Sequence, residues 1–405
     1  MASTIDSIIC LSSQKWDNDL WTNKQHIMDR LQNNYPVMHI DFGSEHFPAW
    51  FLENFKKRNL SSYFKFGIHQ RKNNLYIGKT LSLPIISYLP INYSLREGWD
   101  FYFKIKQAKW FLTKHGVEHS IIWVYHPGFA PYLKEFTRSL IVYDCVDDYA
   151  TFPEYNKNQK LKKWITDKEK QLCQYSDIIF TTSPHLFDIK HSEYPEKSYY
   201  VHNVGDYDHF SLVQSNKCTS AKKVSNIKGK KICFVGAISD YKVRIDWIYD
   251  SAKINPEFNY ILIGPIGLSD KNTDVSILKS LPNVYFFGKI DYSLLPSFLK
   301  DIDVCIIPYK VDGHTKGVFP IKFFEFLATG KPVVISNLPS LKEYYKFVFV
   351  AKNKNEFSEC INKALVEGNQ MREERIQLAK KNKWDDRIEH QLRIINDKLN
   401  NNFIL

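Results

Sequence analysis

Strongly apolar runs alternate with polar, helix-like segments from Lys230 onward. Six runs follow this pattern, namely KICFVGAI, YILIGPI, VYFFGKI, DVCIIPY, KPVVIS and FVFVAK. Short runs that are apolar on both faces are typical of parallel strands covered by helices. The first half repeats the pattern with strands at residues 6–11, 37–42, 74–84 and 119–127 and helices near 22–33, 48–58 and 99–114. This alternation predicts an α/β protein with parallel sheets.

The length of the chain favours two domains. A chain of 405 residues is too long for one ordinary hydrophobic core. A turn cluster at residues 199–210 and the polar stretch KCTSAKKVSNIKGK after it are typical of a linker. We therefore expect a first domain at residues 1–205, a second at 206–384 and a final helix at 385–405. An apolar stripe marks that helix at Ile388, Leu392, Ile395 and Leu399.

Several classes of protein are disfavoured by composition. No run reaches the length of a membrane span, and the N-terminus has no basic stretch before an apolar one, so we expect a cytoplasmic, soluble protein. The seven cysteines are odd in number and lack C-x-x-C spacing, which predicts buried free thiols. No zinc-finger spacing or RNA-binding aromatic signature accompanies the net charge of +11, so nucleic acid is not expected as a partner.

Short basic runs leave an anionic membrane surface open as a partner. Lysines lie close to aromatic residues at 56–59 and 161–164, a mixture that suits a bilayer interface. A solvated protein face is the favoured explanation of each run taken by itself.

The loop after the first strand lacks the glycine fingerprint of dinucleotide-binding domains. It carries Trp16 and Trp21 instead, whose flat apolar rings suit a sugar or lipid-linked acceptor. Packing of one or both rings in the core is the alternative.

Residues 312–337, DGHTKGVFPIKFFEFLATGKPVVISN, form a predicted loop-helix-strand unit after an apolar strand. Pro320 suits a first helical turn and Gly330 suits a helix end, so we predict a helix over residues 320–329. Lys322 and Glu325 then share one helix face at the carboxyl end of a strand, where α/β sheets bind ligands. Helix amides and a lysine predict an anion site there. A solvated ion pair worth about 0.3–0.5 kcal/mol is the alternative.

Acidic residues follow another apolar strand in SLIVYDCVDDYATF, residues 139–152. This order places Asp147 and Asp148 at the carboxyl end of a probable central strand, where one could accept a proton from a hydroxyl. Asp148 could instead cap the following helix, which favours Asp147 as the catalytic base. His126, at the end of the preceding strand, is a lesser candidate for the acceptor site, with a structural role as its alternative.

These motifs resemble those of GT-B glycosyltransferases that build bacterial surface polysaccharides such as capsule and lipopolysaccharide. The similarity is to the family-4-like group with teichuronic-acid and xanthan glucuronosyl transferases, and it rests on residues 141–152, 203–210 and 318–334. The resemblance implies two doubly wound Rossmann-like domains with an interdomain cleft and a last helix that crosses back to the first domain. It also implies metal-independent transfer of a hexosyl group from a nucleoside-diphosphate sugar, a UDP-sugar above all, to a glycan or lipid-linked acceptor. No cofactor and no metal are expected.

The resemblance also assigns roles to residues of the donor site. Lys322 would hold the diphosphate and Glu325 the ribose, with the Gly236 loop against the diphosphate and the Ile290 backbone at the base. The resemblance does not assign Thr315; we expect its hydroxyl to donate to the phosphate beside Lys322, because the Gly236 loop departs from the family pattern.

The chain departs from the family pattern at two places in this region. Gly317 stands where the commoner motif has a second glutamate, and Ala237 replaces an arginine. Lys242 and Arg244 lie near the usual lysine of that loop, and we expect them to be out of register with it. Whether Asp147 acts in an inverting reaction, or donor geometry serves a retaining one, stays open.

Two other functions share this architecture. A nucleotide-sugar epimerase would convert its donor without an acceptor, and a non-catalytic subunit would bind a nucleotide sugar without turning it over.

Overall fold

The computed structural model of the protein describes residues 5–17, 20–41, 45–46, 67–79, 81–82, 93–116, 119–268 and 270–402. The predicted helix at 48–58 and the basic run at 56–59 lie outside the described residues. Within the described part, no helix is both long and apolar enough to cross a membrane.

The first half of the chain builds an eight-stranded sheet and a separate strand pair. Its strands are β1 Ile8–Leu11, β2 Val37–Ile40, β3 Glu45–His46, β4 Gly67–Lys72, β5 Leu75–Lys79, β6 Leu81–Ser82, β7 Ser120–Val124, β8 Ser139–Cys145, β9 Ile178–Thr181 and β10 Ser198–Tyr200. The order is β10-β9-β8-β7-β1-β2-β5-β4, with β3 paired to β6 outside it. Neighbours are parallel except β4 and β5.

Both faces of this sheet are covered, as its apolar strands predict. Successive residues of β1 enter two different cores, Ile8 and Cys10 on one side and Ile9 and Leu11 on the other. Among the described residues of this half, the helices are α1 Asn23–Leu31, α2 Tyr93–His115, α3 Pro153–Asn156, α4 Gln159–Tyr175 and α5 Pro184–Glu193. The same described part contains the 3-10 helices Pro127–Glu135, Tyr149–Thr151 and Pro195–Lys197.

The second half builds a six-stranded, wholly parallel sheet. Its strands are β11 Lys230–Val235, β12 Phe258–Ile263, β13 Val284–Gly288, β14 Val304–Ile307, β15 Val333–Ser336 and β16 Phe349–Ala351. Its helices are α6 Tyr207–Phe210, α7 Lys222–Ser225, α8 Ile245–Ile254, α9 Ser276–Lys279, α10 Leu295–Leu299, α11 Lys322–Ala328, α12 Lys354–Glu367 and α13 Arg372–Lys380. Its 3-10 helices are Ser211–Gln214, Tyr292–Leu294, Thr315–Gly317 and Pro339–Phe347.

The strand order of the second sheet, β13-β12-β11-β14-β15-β16, reverses between β11 and β14. Loops leave the carboxyl ends of these two strands in opposite directions, which opens a crevice between them.

The last helix, α14 Trp384–Asn402, packs on the first half of the chain. Trp384, Ile388, Ile395 and Leu399 belong to the same core as Ile8 in β1. The predicted apolar stripe is therefore used for a contact between distant parts of the sequence.

Candidate active site

A cleft of about 300 Å³ lies where the two halves of the chain face each other. It is lined by residues that follow the carboxyl ends of β8, β11, β12, β13 and β14, which are Asp147, Gly236, Gly264, Lys289 and Tyr309. This is the position that open α/β sheets use for ligands.

Helix α11 supplies two buried charged groups to this cleft, Lys322 and Glu325. The helix begins at Lys322 rather than at Pro320, because the Phe323 N–H donates to Pro320 O at 3.0 Å in a tighter turn that precedes the helix. With seven residues, α11 adds only a small positive end potential. The backbone amides of α11 should therefore attract an anion less strongly than the sequence suggested. The side chain of Lys322 should provide more of that attraction.

Lys322 lies beneath the loop that follows β11. Its Nζ donates to Tyr309 Oη at 2.5 Å and lies 5.4 Å from the ring centre of Phe234. Gly236 has φ +141°, and a Cβ there would lie 2.7 Å from Lys322 Nζ, so a side chain at this position would displace the ammonium group. Burial lowers the pKa of Lys322 to about 8, partly offset by the Glu325 charge.

Glu325 is buried beside Lys322 and faces Tyr292. Tyr292 Oη lies 3.4 Å from Glu325 Oε1 and 3.4 Å from Asp206 Oδ2, so its single proton serves one carboxylate at a time. Burial raises the pKa of Glu325 to about 8, against the lowering effect of Lys322. Both groups of the pair therefore titrate closer to neutral pH than they would in water.

Lys242 is a second cation of the cleft, although its position in the sequence seemed out of register. Its Nζ lies 4.7 Å from the ring centre of Tyr309, the same residue that binds Lys322. The sequence feature that could have indicated a cleft position for Lys242 is its distance of six residues from Gly236. The cleft therefore gathers two lysines around one tyrosine.

The two predicted aspartates are separated by the structure. Asp147 lines the cleft, whereas Asp148 does not. Asp148 immediately precedes the 3-10 helix Tyr149–Thr151. Burial, followed by the negative charge of Glu169, raises the pKa of Asp148, and a hydrogen bond from the Ala150 N–H opposes that effect. Asp147 is thus the one of the two acids that lines the cleft.

The two tryptophans also take different positions. Trp16 is 4% exposed and packs edge-on against His39, with ring centres 5.2 Å apart, in the core of the first half. Its backbone N–H donates to Asp41 Oδ1 at 2.6 Å. Trp21 lines the cleft and stacks toward Tyr292 at 6.5 Å. Of the two tryptophans, Trp21 is therefore the one that lines the cleft.

His126 has the structural role that was its alternative. Its buried ring accepts the Gly128 N–H through Nδ1 at 3.1 Å and lies 3.4 Å from Tyr155 Oη through Nε2. Burial lowers its pKa to about 3, so the ring stays neutral. His126 is not among the residues that line the cleft.

Thr315 is also placed away from the cleft, whereas Ile290 lines it. The Thr315 hydroxyl is fully buried, donates to Lys310 O and accepts the Asp312 N–H at 3.0 Å. These bonds hold the loop after β14 together, and they leave the hydroxyl unavailable to a phosphate.

Two cleft residues carried no clear sequence signal. Lys24, near the start of α1, is only 2% exposed and its Nζ lies 5.2 Å from the ring centre of Tyr125. Burial lowers its pKa, and the charge of Asp147 opposes that effect. His314 Nδ1 lies 3.0 Å from Thr151 Oγ1, across the cleft from the second half to the first. Burial lowers the pKa of His314.

Direct hydrogen bonds join the two walls beside these residues. Asn203 accepts from Asn23 Nδ2 at 2.5 Å and donates to Phe319 O at 2.7 Å. Its amide therefore links α1 to the segment that leads into α11.

Among the residues that the structure describes, no three His, Cys, Asp or Glu side chains lie together so as to hold a metal ion. All seven cysteines are free. Five are buried, namely Cys10, Cys145, Cys173, Cys233 and Cys305, whereas Cys218 and Cys360 are partly exposed.

Comparison with known sequences matches residues 217–382 to the family of glycosyl transferases group 1. The chain is also 33% identical over 240 residues to a protein of Bacillus subtilis (strain 168) named as a teichuronic acid biosynthesis glycosyltransferase, TuaH. That match covers 56% of this chain and 58% of the relative, so it spans little more than half of either protein.

Solved structures share the fold over nearly the whole chain. The sucrose-phosphate synthase of Thermosynechococcus elongatus superposes with a TM-score of 0.70 at 13% identity, covering 96% of this chain and 98% of the other. The α,α-trehalose 6-phosphate synthase of Burkholderia multivorans gives 0.68 at 13% identity, covering 99% and 98%. An E. coli trehalose-6-phosphate structure bound with UDP-2-fluoro glucose gives 0.67 at 12% identity, covering 96% and 99%. This chain therefore has the GT-B fold, and its residues 217–382 match the glycosyl transferases group 1 family.

Proposed function

We propose that the protein transfers a sugar from a nucleoside-diphosphate sugar, a UDP-sugar, to a glycan or lipid-linked glycan during bacterial surface polysaccharide synthesis. The observation that carries this proposal is the cleft itself, where Lys322 and Glu325 of the second half share one cavity with Asp147 of the first. Lys322 and Lys242 on the wall of the second half suit an anionic donor, and Asp147 on the wall of the first half suits an acceptor hydroxyl.

In the proposed reaction an acceptor hydroxyl oxygen forms a bond to the anomeric carbon of the donor sugar. The bond from that carbon to the diphosphate oxygen breaks, and the nucleoside diphosphate leaves with the electron pair. Lys322 and Lys242 stabilise the charge that develops on the leaving group. Asp147 takes the proton of the acceptor hydroxyl.

Glu325 would accept hydrogen bonds from the ribose hydroxyls and the Ile290 backbone would contact the base. Trp21 offers a flat apolar surface for the acceptor on the opposite wall. The two lysines can supply the charge that a divalent metal would otherwise provide, so we propose that transfer is metal-independent and proceeds in EDTA.

The names of two similar proteins support a UDP-sugar donor and a role in polysaccharide synthesis. One structure of the same fold is named for bound UDP-2-fluoro glucose, and the Bacillus relative is named for teichuronic acid biosynthesis. We extend both attributes to this chain as part of the proposal, with the reaction at the cytoplasmic side where nucleotide sugars are made.

The test is a transfer assay with UDP-, GDP-, CMP- and dTDP-sugars and membrane-extracted glycan acceptors, run with EDTA. Asp147→Asn should lower the rate about 10²–10⁴-fold, because the proton acceptor is lost. The matched control is Asp167→Asn, on the exposed side of α4, which should keep the wild-type rate.

Donor incubated without acceptor separates the alternatives. Conversion of the donor to an epimer, seen by proton NMR, would contradict the transferase proposal and identify an epimerase. Binding of a donor with no turnover under any acceptor would identify a non-catalytic subunit.

A further inference from the structure

The outer face of helix α2, Tyr93–His115, is built differently from its inner face. Its inner residues Phe101, Ile105, Ala108, Phe111 and Leu112 are buried in the core. Within residues 101–115, where the structure describes the side chains, the outer residues recur at the same three- and four-residue spacing and are all exposed. This set, named the α2 face, consists of Tyr102, Phe103, Lys106, Lys109, Trp110, Thr113 and Lys114.

Three large aromatic side chains of the α2 face are exposed to solvent. Tyr102 is 44%, Phe103 41% and Trp110 49% exposed. Isolated apolar residues at a surface are ordinary, but three large rings on one helix face are a patch that marks an interaction site.

Lysines are interleaved with these rings. Lys106 Nζ lies 5.3 Å from the ring centre of Tyr102, and Lys114 Nζ lies 5.3 Å from that of Trp110. Lys109 pairs with Glu135 of the neighbouring 3-10 helix at 3.0 Å. The seven residues of the α2 face include no acid, so the face combines aromatic rings with positive charge.

The combination of exposed aromatic rings with lysines favours a lipid bilayer over a protein as the partner. The centre of a protein-protein interface is depleted in lysine, whereas the α2 face has three lysines among seven residues. Tryptophan and tyrosine prefer the headgroup level of a bilayer, and lysines beside them are attracted to anionic lipids. Long lysine side chains can keep the ammonium at the headgroups while their stems follow the rings inward.

We propose that the α2 face is a docking surface for an anionic lipid bilayer. The basic run at residues 161–164 does not provide a comparable surface, because Trp164 packs against the buried cluster of Tyr149, Tyr155 and Ile165. The inference goes beyond the proposed transferase activity and does not depend on it, since none of the α2 face lines the cleft.

The test is co-sedimentation of the full chain with vesicles of phosphatidylcholine alone or mixed with phosphatidylglycerol. The wild-type protein should bind the mixed vesicles, and binding should weaken as salt is raised. The triple variant Tyr102→Ser, Phe103→Ser, Trp110→Ser should bind at least about tenfold more weakly, because the interfacial rings are lost. Lys106→Gln with Lys114→Gln should weaken binding to the mixed vesicles by about tenfold or more.

The control is Tyr175→Ser, which removes an aromatic residue of α4 that is 39% exposed. It should leave vesicle binding unchanged. All variants should unfold in urea at the same midpoint as the wild type, which shows that they are folded. Equal vesicle binding by the triple variant and the wild type would overturn the proposal. Self-association of the wild-type protein through the α2 face, with no binding to vesicles, would overturn it as well. Neither result would affect the transferase proposal, which is tested in the cleft.

Discussion

Lys322 and Glu325 lie at the centre of the proposed donor site, and burial brings the pKa of each to about 8. Between pH 7 and 9 the lysine loses its positive charge and the glutamate gains a negative one. Both changes make the site less favourable to a diphosphate. We therefore predict that the Kd for UDP rises about tenfold or more between pH 7 and 9.

Calorimetric titration of UDP at a series of pH values measures this dependence. Glu325→Gln removes one of the two titrations and should make the dependence shallower, while the substitution Glu359→Gln on the exposed side of α12 should not change it. A Kd that is constant from pH 7 to 9 would show that the pair does not meet the diphosphate.

The sequence was sufficient to predict residues whose position follows from one strand and the loop after it. Lys322, Glu325 and Asp147 all lie just beyond the carboxyl ends of strands that their apolar runs made visible. The positions of Trp16, Trp21 and Lys24 depend instead on which way the loop after β1 turns. That direction is set by contacts with distant residues, such as the bond from Trp16 N to Asp41, which no local pattern contains.

Hydroxyl and imidazole groups were the hardest to assign. Thr315 and His126 have the right chemistry for a site, but local hydrogen bonds to Asp312 and Gly128 already occupy them. Whether such a bond forms is decided by loop geometry, which the sequence does not show directly.

Among the elements, α11 is held in place by a close approach of the preceding chain. A Cβ at Gly205 would lie 2.7 Å from Glu325 N and 2.9 Å from the carbonyl carbon of Phe324, both backbone atoms. We predict that Gly205→Ala displaces the start of α11, destabilises the protein by about 1–3 kcal/mol and weakens UDP binding.

Urea unfolding and UDP titration together test this prediction. Gly313→Ala is the matched control, because a Cβ at that glycine meets nothing within 4 Å. If the Gly205→Ala variant keeps the stability and the UDP affinity of the wild type, α11 tolerates a Cβ at position 205. The position of α11 is then not set by the close approach of Gly205.

Element types were more predictable than element ends. The strands of the second half follow their apolar runs, because a run buried on both faces has few alternatives to a covered sheet. The start of α11 was placed two residues early, since Pro320 fits a helical first turn and a tighter turn equally well.

At the scale of the whole molecule, α14 ties the end of the chain to the first sheet through a buried ion pair. Arg387 Nη2 lies 3.6 Å from Asp144 Oδ1, and both side chains are 1% exposed or less. Removing one partner leaves the other charge buried without compensation. We predict that Arg387→Met costs about 3–5 kcal/mol in the free energy of unfolding.

The double variant Arg387→Met, Asp144→Asn tests whether the two charges compensate each other. Its loss of stability in urea unfolding should be smaller than the sum of the two single losses. Additive losses would show that the pair does not contribute to the attachment of α14.

The general architecture was predictable because β-α-β alternation leaves few arrangements, and in each the ligand cleft forms at carboxyl strand ends. The contacts across the cleft were not predictable from the sequence. Thr151 meets His314, and Asn203 bridges Asn23 and Phe319, only because the two halves are placed face to face by the whole fold.

Lys322 is the residue on which the proposed donor site depends most, as a ligand of the donor diphosphate. Titration of UDP into the wild type, Lys322→Ala and the exposed control Lys363→Ala tests this directly. We predict equal affinity for the wild type and Lys363→Ala, and a roughly tenfold to hundredfold weaker Kd for Lys322→Ala, because a charge-assisted hydrogen bond is lost. Equal affinity in all three proteins would contradict a diphosphate site at the start of α11.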